Sequence, residues 1–213
     1  MYDGAELYNA ILTGDAKKAE KITKAALADK ADPTEIVQKF MIPAMDEVGN
    51  RFECNEYFVP ELLIAARAMK TALQLISPLL AAQGAEPIGR VVIGTVQGDL
   101  HDIGKNLVAS MLEGGGFQVI DLGVDVPPEK FVEAAQENEG SIVALSTLLT
   151  TTMTMMKKVI EALEKVGIRK NTKVIIGGAP ITQQFADEIG ADGYGDNANS
   201  AVALARKLAT STD

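Results

Sequence analysis

Around residue 84 the hydrophobic pattern changes its period, and that change alone forces two architectures on the chain. Up to about residue 83 the apolar residues recur at spacings of three and four, the signature of helices that bury one face. Asp32-Pro33-Thr34-Glu35 opens one of them, with Asp at the N-cap, Pro at the first helical position and Glu at the third. The helix it starts aligns Val37, Met41, Ala44, Met45, Val48 and Phe52, and Pro43 predicts a kink or break inside it. From about Pro60 a last helix aligns Leu62, Ala66, Met69, Leu73, Ile76 and Leu80, the seam of an antiparallel bundle.

Beyond Gly84-Ala85-Glu86-Pro87-Ile88-Gly89 the runs become short and continuous. Val91 to Thr95 suits a strand buried on both faces, and similar runs follow at Phe117 to Leu122, Ile142 to Leu145 and Lys173 to Ile176, with a weaker one at 192–194. Helical stretches over about 104–114, 128–138, 152–166, 181–189 and 198–209 alternate with them. The expectation is an all-α four-helix bundle over 1–84, a linker over 85–89, and an α/β doubly wound (Rossmann-like, flavodoxin-type) domain with a parallel five-stranded sheet over 90–213.

Composition narrows the function. A formal charge of −9, with neither half basic, argues against a protein that grips nucleic-acid phosphates. The single cysteine, Cys54, permits no intramolecular disulfide, multi-cysteine zinc site or four-cysteine cluster within one chain, and it fits a reducing compartment. The start Met1-Tyr2-Asp3-Gly4-Ala5-Glu6 lacks a basic, apolar leader, and no unbroken apolar run approaches 18 residues. A cytoplasmic protein without a membrane segment is expected.

Open parallel sheets bind ligands at the carboxyl ends of their strands, so the loops after each strand carry the chemistry. The first, Gly98-Asp99-Leu100-His101-Asp102-Ile103-Gly104, holds the only histidine of the chain, between two aspartates. One histidine cannot build a divalent-metal phosphohydrolase. The third loop runs Ser146-Thr147-Leu148-Leu149-Thr150-Thr151-Thr152, more hydroxyls than one helix cap requires. The fourth, Gly177-Gly178-Ala179-Pro180, is either a flexible turn or a gap where a bulky ligand lies against bare backbone. No Gly-x-Gly-x-x-Gly and no phosphate-loop lysine motif follows the first strand.

Asp99-x-His101-x-x-Gly104, Ser146-x-Leu148 and Gly177-Gly178, in this order and spacing, resemble the fingerprint of cobalamin domains that hold the corrinoid base-off and His-on. Gly49-Asn50-Arg51-Phe52 and Tyr57-Phe58-Val59-Pro60-Glu61-Leu62 resemble the helical cap of methionine synthase. They are closer still to the free-standing corrinoid proteins of methylamine, methanol and aryl-ether methyltransferase systems.

The resemblance implies cobalamin or a related corrinoid, cycling between cob(I)alamin and methylcob(III)alamin, with His101 as the lower axial cobalt ligand. Asp99 and Thr152 would complete a ligand relay. Gly98, Asp102, Ile103, Gly104, Ser146, Leu148, Thr150, Gly177, Gly178 and Ala198 would line the cofactor, and Phe52 and Val59 would lie over the upper corrin face. It implies a substrate-specific methyltransferase that loads the methyl group, a second one using a folate or thiol acceptor, and a reductive activation protein. On this reading the chain is a carrier and not a complete enzyme, the helical domain moves as a unit about the linker, and Asp99→Asn is milder than loss of His101. A cobalamin-dependent mutase subunit would not need the Phe52/Val59 cap. A cobalamin-sensing regulator would need a basic helix-turn-helix, and a flavodoxin-like module gives His101 no purpose.

Overall fold

The computed structural model describes residues 2–84 and 87–210 and divides them into two compact units. One comprises the chain up to Pro87 together with Glu113–Gly116; the other comprises Ile88–Leu112 and the chain from Phe117 on. Ala85 and Glu86, in the middle of the expected linker, lie outside the described residues.

In the helical unit, α1 (Gly4–Leu12), α2 (Ala16–Ala28) and α3 (Pro33–Ile36) each begin at an aspartate N-cap. Asp3 accepts from the Ala5 amide at 2.9 Å, Asp15 from Lys18 at 3.0 Å and Asp32 from Thr34 at 2.9 Å. Each side chain thereby satisfies an amide that has no partner inside its helix. Between α3 and α4 (Ile42–Glu53) lies one π-helical turn, Val37–Met41, in which the Ile42 amide donates to the Val37 carbonyl. Pro43 explains its place. The proline has no amide for the carbonyl four residues back and its ring crowds that carbonyl, so the backbone widens just upstream.

Helix α5 (Val59–Ala82) packs along α2, and its buried face is not quite the one expected. Leu62, Ala66, Met69 and Ile76 are buried, but Leu73 and Leu80 are partly exposed, and Ala65, Ala68 and Ala72 take their place inside. Helix α2 buries Ala19 and Ala26, and small residues on both helices permit a close approach of the two backbones. By length and composition α5 is apolar enough to cross a membrane. Arg67 and Lys70 interrupt it, and the buried face belongs to the core of the bundle, so it reads as the core helix of this unit.

The second unit is a five-stranded, all-parallel sheet in the order β2-β1-β3-β4-β5. The strands are β1 (Arg90–Thr95), β2 (Gln118–Asp121), β3 (Ile142–Ser146), β4 (Lys173–Gly177) and β5 (Gly193–Gly195). The crossovers are α6 (Ile103–Gly114), α7 (Pro128–Glu137), α8 (Met153–Lys165) and α9 (Gln183–Ile189), and α10 (Ala198–Thr210) follows β5. Val91, Val92, Ile93, Val143, Ala144, Leu145, Val174, Ile175 and Ile176 are all buried, as central strands covered on both faces require. Phe131 on α7 and Met156 and Leu163 on α8 are inaccessible against them. Full burial of a side chain of that size contributes about 2–3 kcal/mol. In register, Thr95 pairs with Ser146, Ser146 with Gly177, and Gly177 with Gly195. Four strand ends therefore stand in one row. The sheet order reverses between β1 and β3, which puts the functional crevice between their loops.

Candidate functional site

Asp99 joins the two loops at the reversal point. Its side chain is fully buried, and each of its oxygens faces a different loop. Oδ1 lies 2.7 Å from His101 Nδ1 and accepts the His101 amide at 3.0 Å. Oδ2 accepts from the Thr147 hydroxyl at 2.6 Å and from the amides of Leu148 and Leu149 at 2.7 and 3.3 Å. Burial pushes the carboxyl up, but the hydrogen bonds from Thr147, from the His101 and Leu148 amides and from the imidazole outweigh it. The group is held well below the usual carboxylate range. Near neutrality it is an anion and a pure acceptor, so the proton between it and the imidazole sits on Nδ1. The Thr95 hydroxyl donates to the His101 carbonyl at 2.9 Å and holds the other side of the residue.

With Nδ1 engaged, the lone pair of the neutral ring is on Nε2. The His101 side chain is 53 % exposed, so that nitrogen is accessible. Leu100 and Ile103 beside it are 71 % and 80 % exposed, and Leu148 and Leu149, whose amides bind Asp99, are 45 % and 38 % exposed. Four large exposed apolar side chains on the two loops joined by Asp99 make a surface that water does not favour and a broad, flat apolar ligand does.

The glycines complete the space. Gly178, at φ +131°, runs so close beneath Thr147 that a Cβ would stand 1.8 Å from the Thr147 oxygen. A Cβ on Gly177 would approach the Gly195 oxygen at 3.1 Å. At Gly104, on the first turn of α6, a Cβ would meet nothing within 4 Å. Gly98, at φ +87°, passes beside the Thr152 methyl.

Among the described residues no group of three His, Cys, Asp or Glu could hold a metal ion. A bare ion does not fit a single imidazole donor. A metal that brings its own equatorial ligands in a large ring and needs one axial nitrogen does fit, in chemistry and in the apolar surround.

The other residues singled out from the sequence are distributed unevenly. Ser146 ends β3, half-buried, and Thr150 is exposed on the same loop. Asp102 is exposed and accepts from Asn106 Nδ2 at 3.1 Å. Ala198 is the buried first residue of α10. Thr152 is the N-cap of α8, yet its hydroxyl caps nothing: it pairs with Thr147 Oγ1 at 2.6 Å and stands 3.4 Å from Asp99. Thr147, at 1 % exposure, makes the short contact with Asp99 instead. Sequence reasoning passed over it as one hydroxyl among several. Its position directly after the strand was the available signal.

Phe52 and Val59 belong to the helical unit. Phe52 is half-buried near the end of α4, where the buried stripe of that helix comes to the surface; Val59 starts α5 at 41 % exposure beside Phe58 at 59 %. Arg51 braces this corner, with its guanidinium 5.3 Å over the Tyr57 ring and Nε donating to Glu47 at 2.8 Å. Tyr57 in turn donates to the Leu12 carbonyl at 3.3 Å.

A B12 binding domain model matches residues 89–203, and a second B12 binding domain model matches residues 4–77. Trimethylamine corrinoid protein 1 of Methanosarcina acetivorans is 45 % identical over 206 residues, which cover 96 % of this chain and 95 % of the relative. The chain belongs to the corrinoid proteins. Among solved structures, a cobalamin-binding protein from Desulfitobacterium hafniense is similar at a TM-score of 0.79 and 33 % identity, covering 98 % of this chain and 99 % of that one. The methanol:cobalamin methyltransferase complex of Methanosarcina barkeri contains a chain similar at a TM-score of 0.86 and 29 % identity, covering 97 % and 79 %. As a corrinoid protein, the chain has a helical N-terminal part and a Rossmann-like B12 domain, and its relatives work with methyltransferases.

Proposed function

We propose that this chain is a methyl-carrying corrinoid protein, loaded by a methyltransferase acting on a small methylated donor and unloaded by a second one. The observation that supports it most directly is the 2.7 Å contact between His101 Nδ1 and Asp99, which leaves the lone pair on Nε2 of a half-exposed ring, on loops that also expose Leu100, Ile103, Leu148 and Leu149. When bound, the corrinoid supplies a cobalt that accepts and releases a methyl group.

The chain supplies the rest. His101 Nε2 would hold the cobalt, in the base-off, His-on manner. Asp99 keeps the Nδ1 proton in place and fixes the orientation of the ring, while Thr147 fixes Asp99, with Thr152 behind it. Leu100, Ile103, Leu148 and Leu149 would offer apolar surface to the corrinoid, and Gly177 and Gly178 would line its nucleotide tail with bare backbone. Phe52 and Val59, on the helical unit, would be the residues that shield the corrinoid's other face. The second partner would use a folate or thiol acceptor, and a reductive activation protein would be a further partner. These contacts are all with the corrinoid, so the methyl donor is chosen by the loading partner; relatives are named for trimethylamine and for methanol.

His101→Ala is the direct test. The loaded parent, reduced to Co(II), should show nitrogen hyperfine splitting from the axial ligand in its paramagnetic spectrum. The variant should still bind corrinoid but lose that splitting. Splitting that survives in the variant would remove His101 from the ligand position.

Gly104→Ala separates binding from stability. In the cofactor-free protein the new methyl meets no neighbour and replaces a helical glycine, so stability should rise by about 0.5–1 kcal/mol. If corrinoid occupies that space, affinity should fall in the same variant. A gain in melting temperature with unchanged corrinoid affinity would show that the open space at Gly104 is only solvent.

A further inference from the structure

We propose that Asp125, on the loop after β2, is a positioning residue that sets where the His101 loop stands. This rests on the reading of His101 as an axial ligand, but the observations are independent of the sequence fingerprint, to which the β2 loop contributes nothing. Asp125 Oδ1 accepts the Gly98 amide at 2.7 Å, and the Asp125 amide donates to the Asp99 carbonyl at 3.0 Å. One residue thus holds the Gln97–Gly98 peptide before Asp99 through its side chain, and the Asp99–Leu100 peptide between Asp99 and His101 through its backbone. The neighbouring residues extend the grip: Val126 bridges Val96 in parallel, and its amide donates to the Thr95 carbonyl at 3.0 Å.

The β3 loop holds Asp99 by its side chain and the β2 loop holds it by its backbone. Between them the loop after β1 has no free direction to slide, and imidazole placement follows from both clamps. Asp125 pays for this position with a left-handed backbone, φ +54°, which aspartate tolerates better than most residues and glycine adopts freely.

That geometry supplies the variant. Asp125→Gly keeps the backbone conformation and the amide bond to Asp99, and removes only the acceptor of the Gly98 amide. Asp125→Asn keeps both, because its amide oxygen can replace Oδ1 and asparagine also tolerates φ > 0. In the cofactor-free protein, hydrogen exchange at Gly98 should become about tenfold faster in Asp125→Gly and return towards the parent in Asp125→Asn. In the corrinoid-loaded protein, the fraction of Co(II) with nitrogen splitting should fall in Asp125→Gly and recover in Asp125→Asn, while global melting temperatures stay near the parent.

Parent-like Gly98 exchange and parent-like splitting in Asp125→Gly would overturn the proposal, as would Asp125→Asn behaving no better than the glycine variant. If the parent itself lacks nitrogen splitting, the reading of His101 as ligand fails. Gly98 exchange and the His101 ring nitrogen shifts of the cofactor-free variants then decide the clamp alone.

Discussion

Asp99→Asn should abolish axial ligation although the imidazole remains in the protein. Four donors converge on Oδ2: the Thr147 hydroxyl, the amides of Leu148 and Leu149 and, at 3.4 Å, the Thr152 hydroxyl. Asparagine has one acceptor oxygen, and those donors claim it. Its NH2 group must then occupy the Oδ1 position, facing His101 Nδ1. A donor there turns Nδ1 into the acceptor and moves the ring proton to Nε2, which removes the lone pair that would meet the cobalt. The NH2 also opposes the His101 amide, which now donates to Oδ1 at 3.0 Å.

Corrinoid affinity should fall by about 10–100-fold, the usual effect of losing the carboxylate behind a metal-binding histidine, with loss of nitrogen splitting in the Co(II) spectrum. Stability should drop by about 1–3 kcal/mol, because the buried donor facing the new NH2 group is left unmatched. Ring nitrogen shifts that still report a proton on Nδ1 would refute this account. In the parent, the depressed carboxyl contributes its full stabilisation above the ordinary carboxylate range and loses it only as the pH falls through its own lower value. Ligation should therefore not depend on Asp99 protonation anywhere near neutrality. The pattern of donors on Oδ2 makes Asp99→Asn a severe change, where the sequence alone suggested a mild one.

Gly178→Ala should be the most destabilising of the glycine changes at the site. The backbone stands at φ +131°, a region closed to side-chain-bearing residues, and the added Cβ would overlap the Thr147 oxygen at 1.8 Å. Neither atom is the end of a flexible side chain, so relief requires one loop to move. Moving Thr147 withdraws the hydroxyl that binds Asp99 at 2.6 Å, and the damage reaches His101. A loss of about 3–5 kcal/mol is expected from strain and clash together. For a chain of this size that lowers the melting temperature by about 10 °C or more. Thermal unfolding of the cofactor-free protein, with Gly104→Ala alongside, measures it. A melting temperature within a degree or two of the parent would mean that the loops slide apart freely and the contact is not a constraint.

Much of this was legible in the sequence, for identifiable reasons. The strands at Val91–Thr95, Ile142–Leu145 and Lys173–Ile176 were found within a residue because a strand buried on both faces leaves an unbroken apolar run. Asp32-Pro33 marked a helix start because capping acts over three residues. What failed was non-local. The α5 seam was read through Leu73 and Leu80, but the bundle buries alanines, which carry little hydrophobic signal. The contact of Thr147 with Asp99 also left no local signal: Thr152 was carried over by its motif position and stands 3.4 Å from Asp99, while the turn of the chain after β3 brings Thr147 to 2.6 Å.

The sequence by itself determined the element order, the change from bundle to parallel sheet, and the presence of one imidazole between aspartates on a post-strand loop. These follow from periodicity, capping and residue chemistry, all of which act over a few neighbouring positions. The tertiary structure decided which groups meet. The strand order β2-β1-β3 laid the loops after β2 and β3 on either side of the β1 loop, and the register set Thr95, Ser146, Gly177 and Gly195 in one row. Asp99 meets Thr147, 48 residues away, and Asp125 meets Gly98, 27 residues away, only because parallel pairing brings distant segments side by side. Hydrogen bonds between such segments leave no periodic trace along the chain, so the partners of His101 became visible only once the sheet had formed.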